Sequence, residues 1–163
     1  MATALTLMAM AKEALEQELV KAGTRDGLCE MLLLHGDMVV IDYADCGGMG
    51  YVRLASANPS AAFPNPAPAG SCAHQQAFSM EMGIVRAAPG MQEGARSPAL
   101  PDAEDHLAAT SLALEDMDVM RAALKVLEGQ VFDFQLGTYT PVGPAGGALG
   151  GNWSFTVGEE LDD

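Results

Sequence analysis

In Cys72-Ala73-His74-Gln75-Gln76-Ala77-Phe78-Ser79-Met80-Glu81-Met82-Gly83-Ile84-Val85-Arg86, the apolar residues Phe78, Met80, Met82 and Ile84 alternate with Ser79, Glu81 and Gly83. Successive side chains on a strand point to opposite faces, so this period of two predicts a long strand with one face buried and the other in water.

Upstream, residues 28–54 break into short apolar runs at 29–34, 38–43 and 49–54, separated by His35-Gly36-Asp37 and by a second turn-rich group at 44–48. Three strands joined by tight turns fit this pattern. Downstream, residues 130–139 and 152–157 read as two further strands. Two helices are read from a period of about 3.6 residues. In residues 3–22, Leu7, Ala11, Leu15 and Leu19 recur about once per turn, and Gly23 stands where a left-handed cap would end the helix. In residues 102–128, Ala113, Met117, Met120, Leu124 and Leu127 recur at spacings of four and three, with Asp102, Glu104 and Asp105 near the positive end of the helix dipole and Arg121 and Lys125 near the negative end. Gly129 ends it.

Three segments read as extended loops. Residues 58–71 contain Pro59, Pro64, Pro66 and Pro68, which cannot donate ladder hydrogen bonds. Residues 87–101 and 140–151 are likewise rich in Gly and Pro. Helix, strands, loop, long strand, helix and two strands make a segregated order. That order predicts a single α+β domain over residues 1–163, with a largely antiparallel sheet and two main helices. At 163 residues and 49% hydrophobic content, the chain can bury a core without disulfides or metals.

Eight Lys and Arg stand against 22 Asp and Glu, a formal charge of −14. This balance repels the phosphate backbone and argues against direct nucleic-acid binding. It suits solubility, and it also suits a negative lumen through which DNA passes without sticking. The longest apolar runs, 31–34 and 38–41, fall far short of the roughly 20 residues needed to cross a bilayer. The N-terminal segment has no basic region before its apolar residues, so it does not read as a signal peptide and predicts folding in the cytoplasm. Cys29, Cys46 and Cys72 are an odd number, which suits reduced thiols better than a disulfide framework and permits one bridge at most.

No catalytic or cofactor pattern assembles. The glycine-rich residues 143–151 lack the Lys-Ser/Thr ending of a phosphate loop and precede a strand, where phosphate binding needs a helix N-terminus. They read as a connector or a hairpin tip. Zinc could draw on Cys29, His35, Cys46, Cys72 and His74, yet neither CxxC nor HxxxH spacing is present. Cys46 lies near Asp42 and Asp45, acids that would raise a thiol's pKa and make it a poor nucleophile. The adjacent pairs Glu115-Asp116 and Glu159-Glu160 splay apart on a regular element and read as solvated charge. A small metal or thiol enzyme centred on Cys46, Cys72 and His74 is the competing reading from another class.

Three passages resemble the tail terminator, or a closely related neck protein, of actinobacterial long-tailed siphophages. They are residues 42–54 (Asp-Tyr-Ala-Asp-Cys-Gly-Gly-Met-Gly-Tyr-Val-Arg-Leu), Phe63-Pro64 followed by Ser71-Cys72, and the closing pattern of residues 137–144 and 150–157. The resemblance implies a tail-terminator-like fold and a structural virion protein, not an enzyme, with no cofactor and no metal. It implies a homo-oligomeric ring, a hexamer, that caps the tail tube protein and joins it to the head-to-tail connector or stopper. Such a ring sits at the virion neck after assembly in the host cytoplasm, binds no specific nucleic-acid sequence and touches no membrane. Another neck component, a stopper or adaptor, fits the same features. On this reading the loops at 58–71 and 87–101 are candidate interfaces, and the candidate interface residues are Phe63, Pro64, Pro66, Arg96 and Trp153.

Overall fold

The computed structural model describes residues 3–36, 47–89, 102–145 and 147–161. Helix α1 (Ala4–Ala22) begins at Thr3, whose hydroxyl accepts the Thr6 amide at 3.3 Å. It ends at Gly23, whose φ of 71° lets the Gly23 and Thr24 amides turn back onto the Val20 and Leu19 carbonyls. Strands β1 (Met31–His35), β2 (Gly48–Ala62), β3 (Asn65–Pro66) and β4 (Gln75–Ala87) follow. Then come α2 (Ala103–Glu128), β5 (Asp133–Ala145) and β6 (Ala148–Glu160).

The strands form one sheet in the order β1-β2-β4-β6-β5, with β3 paired to β2 alone. The molecule is therefore α+β, as its segregated element order predicts. The long strand read from residues 72–86 is β4, and it lies at the centre of the sheet. In an antiparallel pair directly opposed residues share a face, and Met80 lies opposite Leu54 on one side and Phe155 on the other. Phe78, Met80, Met82 and Ile84 of β4, with Val52, Phe155 and Val157, form the buried face. Leu7, Leu15 and Leu19 of α1 and Met120, Leu124 and Leu127 of α2 close over it.

A second, smaller cluster of Met49, Tyr51, Val85 and Ala148, flanked by Leu32 and Leu34, lies on the opposite face. Gly83 faces the Tyr51 ring so closely that no Cβ would fit there.

The structure refines three expectations. First, the outer two of the three strands expected at 29–54, β1 and β2, pair directly with each other in parallel, Leu33 opposite Val52, and the turns expected between successive strands fall mostly on residues 37–46, outside the described ones. The strand expected at 38–43 lies outside the described residues. Second, residues 58–62 continue β2, and Asn65–Pro66 forms β3, where a loop was expected. The Pro59 carbonyl accepts the Ala67 amide at 2.8 Å, away from β4, so the amide hydrogen that proline lacks would have pointed to the same outer edge. The ladder to β4 loses nothing. Third, residues 140–151 are mostly paired strand: Thr140 opposes Asn152 and Val142 opposes Gly150, which reduces the expected loop to a hairpin tip. Of the segment 87–101, Ala87 closes β4, and residues 90–101 lie outside the described residues.

Candidate functional site

Arg86 continues the period-two series of β4 one step past Ile84 and so faces the helices. Its Nε donates to Asp116 Oδ2 at 2.6 Å and its Nη2 to Asp116 Oδ1 at 2.8 Å, while Nη2 also donates to the Thr24 carbonyl at 2.9 Å. Arg86 is 9% exposed and Asp116 only 1%. A bidentate, charge-assisted pair of this kind ties together β4, the middle of α2 and the turn after α1. With both carboxylate oxygens occupied and a guanidinium that does not deprotonate, the pair is a clasp and not an acid–base centre.

This corrects the reading of Glu115-Asp116 as solvated charge: Glu115 is exposed, but Asp116 is buried. The signal was present in two periodicities. Asp116 precedes Met120 by one turn on the stripe that continues through Ala123 and Leu127, and Arg86 extends the apolar face of β4. A charge placed on each of two buried faces is the mark of a buried pair.

On the opposite face of the sheet, Arg53 reaches Glu81 Oε2 at 2.6 Å and the Gly36 carbonyl at 2.6 Å. Beside it the Tyr51 hydroxyl accepts from Asn152 Nδ2 at 3.3 Å. Burial raises the Tyr51 pKa, Glu81 raises it further, and the Asn152 hydrogen bond and Arg53 act the other way. Burial, with a contribution from Asp116, also raises that of Tyr139. In the unfolded chain both phenols ionise near their ordinary value of about 10, before they do so in the fold. The folded state is thus fully favoured below that pH and loses stability as the pH rises toward the folded values. We expect urea midpoints to fall above about pH 10, and the Tyr51→Phe/Tyr139→Phe double variant to flatten that fall. An unchanged alkaline limb in the double variant would remove the phenols as its cause.

The candidate interface residues do not converge. The Phe63 ring lies over Gly158 of β6, and the Phe63–Pro64 peptide is cis. Pro64 is half-buried, and Pro66 is exposed on β3. Trp153 donates its Nε1 hydrogen to the Met117 carbonyl at 3.1 Å and packs against the Tyr139 ring, centroids 5.5 Å apart. Its ring thus joins β6 to α2. Arg96 lies outside the described residues.

Cys29, expected as a thiol, is disulfide-bonded, whereas Cys72 is free and exposed. Sequence spacing misjudges Cys29 because the parallel pairing of β1 and β2 brings distant segments together, with the Cys29 amide donating to the Gly48 carbonyl at 2.9 Å. Among the described residues no group of three His, Cys, Asp or Glu could hold a metal ion. No helix there is long and apolar enough to cross a membrane.

What the molecule does present is an uncovered helical surface. Residues 103–115, the first half of α2, contain no buried side chain. Leu107 is 68% exposed and Leu114 53%. Farther along the same helix, Arg121, Leu124, Lys125 and Glu128 line a groove with Phe134 and Leu136 of β5. No protein-family model matches this sequence, and no curated protein does either.

Proposed function

We propose that this chain is a structural subunit of the neck of a long-tailed phage: a tail terminator that closes into a hexameric ring, caps the tail tube and joins it to the head-side connector. The observation that carries the reading is the bare first half of α2. A helix of 26 residues extends its first thirteen beyond the core and exposes two leucines on them. An isolated subunit buries none of those residues fully and leaves Leu107 and Leu114 in water, whereas a neighbour in a ring would cover them. Supporting this, the passages at 137–144 and 150–157 that resemble tail terminators fall on the two strands of one hairpin, β5–β6. The charge of −14 suits a lumen that lets DNA slide past.

The test is the mass of the purified chain over a concentration series, followed by electron microscopy of the chain mixed with phage tail tubes. Rings in solution, or density closing one end of the tubes, are the expected results. A chain that remains monomeric and ignores tubes would sink the terminator reading and favour a stopper or adaptor. Stoichiometric zinc in that monomer would favour the metal enzyme centred on Cys46, Cys72 and His74.

A further inference from the structure

Cations are scarce on this chain, and most of those in the described residues are engaged. Lys12 and Lys21 pair with Glu16 and Glu18, Arg53 with Glu81 and Arg86 with Asp116. Arg25 donates to the Leu28 carbonyl. Arg121 and Lys125 make no ion pair among the described residues. They stand one turn apart on the wall of the α2–β5 groove, with Glu128 at its end and Leu136, 40% exposed, on the facing strand. Phe132, between α2 and β5, is 67% exposed.

The opposite end of α2 has the complementary character. Asp102, Glu104 and Asp105 are exposed there, around Leu107. At 3.6 residues per turn, positions seven apart nearly coincide around a helix, so Leu107, Leu114 and Arg121 share one stripe, with Ser111, Asp118 and Lys125 beside them. Glu104 lies about 60° round the helix from Leu107 and extends that side at its acidic end, whereas Asp105 falls on the far side. With the first half of α2 laid parallel to α2 of a second copy and shifted about 26 Å along it, Glu104 meets Arg121 and Lys125, and Leu107 and Leu114 run on toward Leu136 and Phe132.

We propose that the first half of α2 in one copy docks along the α2–β5 groove of the next copy. Leu107 and Leu114 cover Leu136 and Phe132, and Glu104 lies beside Arg121 and Lys125. The two surfaces lie at opposite ends of a helix about 39 Å long, at about 1.5 Å per residue. A copy with its groove filled therefore keeps its arm free, and a head-to-tail contact of this kind propagates until it closes as a ring. The head-to-tail sense rests on the ring reading; the contact between copies does not.

Two charge-reversal variants of the full chain test it, Arg121→Glu/Lys125→Glu and Glu104→Lys, with the assembly state measured by light scattering at low salt, where charge pairing is least screened. Each variant alone is expected to need at least about tenfold more protein to assemble than the unaltered chain, because each opposes like charges at every contact. An equimolar mixture of the two is expected to assemble again, since in alternation both contacts become complementary. All three positions are exposed, so unchanged melting temperatures check that both variants fold.

If the unaltered chain forms rings and the variants do so equally well, the docking proposal is overturned and the ring reading stands. A chain that stays monomeric at every concentration overturns the docking, and tail-tube capping then decides the ring reading separately. Should the mixture recover only as a heterodimer, the contact is a two-fold one and head-to-tail docking is wrong.

Discussion

Asp116→Ala is expected to lower the free energy of unfolding by about 3–5 kcal/mol, the range for removing one partner of a buried ion pair. The mutation leaves the Arg86 guanidinium buried with only the Thr24 carbonyl at 2.9 Å to receive it. Most of the loss comes from that stranded charge and little from the attraction itself. It follows that Arg86→Met/Asp116→Leu, which removes both charges and keeps the volume, should recover most of the stability. Urea unfolding measures this directly: the midpoint should fall for the single variant and return for the double one, with the denaturant slope unchanged. A loss below about 1 kcal/mol in the single variant would mean that water reaches the pair, as at an exposed salt bridge.

Phe155→Ala should cost a similar amount, about 3–5 kcal/mol, by a different mechanism. Phe155 is 2% exposed at the middle of β6, opposite Met80 on one side and Leu136 on the other, and it stacks on Phe134 with centroids 5.9 Å apart. Truncation removes the buried ring and leaves a cavity beneath the helices that a six-stranded sheet cannot collapse to fill. Leu107→Ala, on the bare half of α2, provides the contrast: within about 0.5 kcal/mol of the unaltered chain in a monomer. If Phe155→Ala cost as little as Leu107→Ala, the core would not be packed as a single unit between helices and sheet.

Much of the fold is legible along the chain because its strongest signals are local and periodic. The alternation in β4 and the stripes of α1 and α2 each report a buried face. Thr3 and Gly23 mark the ends of α1 through hydrogen bonds that their immediate neighbours complete. Proline misled where it was judged by type alone. Whether Pro59 interrupts a sheet depends on which edge its nitrogen faces, and that is known only once β4 has taken the other edge.

The candidate interface was less legible. Trp153 and Phe63 stand among the candidate interface residues of the sequence, and nothing local shows that the Met117 carbonyl and Gly158 receive their rings within the chain. The exposed leucines of α2, Leu107 and Leu114, fall outside the stripe of Ala113, Met117, Met120, Leu124 and Leu127 read from the sequence. Their exposure emerges only when the core is seen to begin at Asp116.

The sequence by itself determined the two helices and the glycine cap of the first, the buried face of the central strand, the α+β class and the net charge, since each follows from neighbours within a few residues. Tertiary structure alone decided the parallel pairing of β1 with β2, the disulfide at Cys29, the clasp between Arg86 and Asp116, and which half of α2 is left uncovered. Those features depend on contacts between segments far apart in the chain, where local periodicity carries no information about distance.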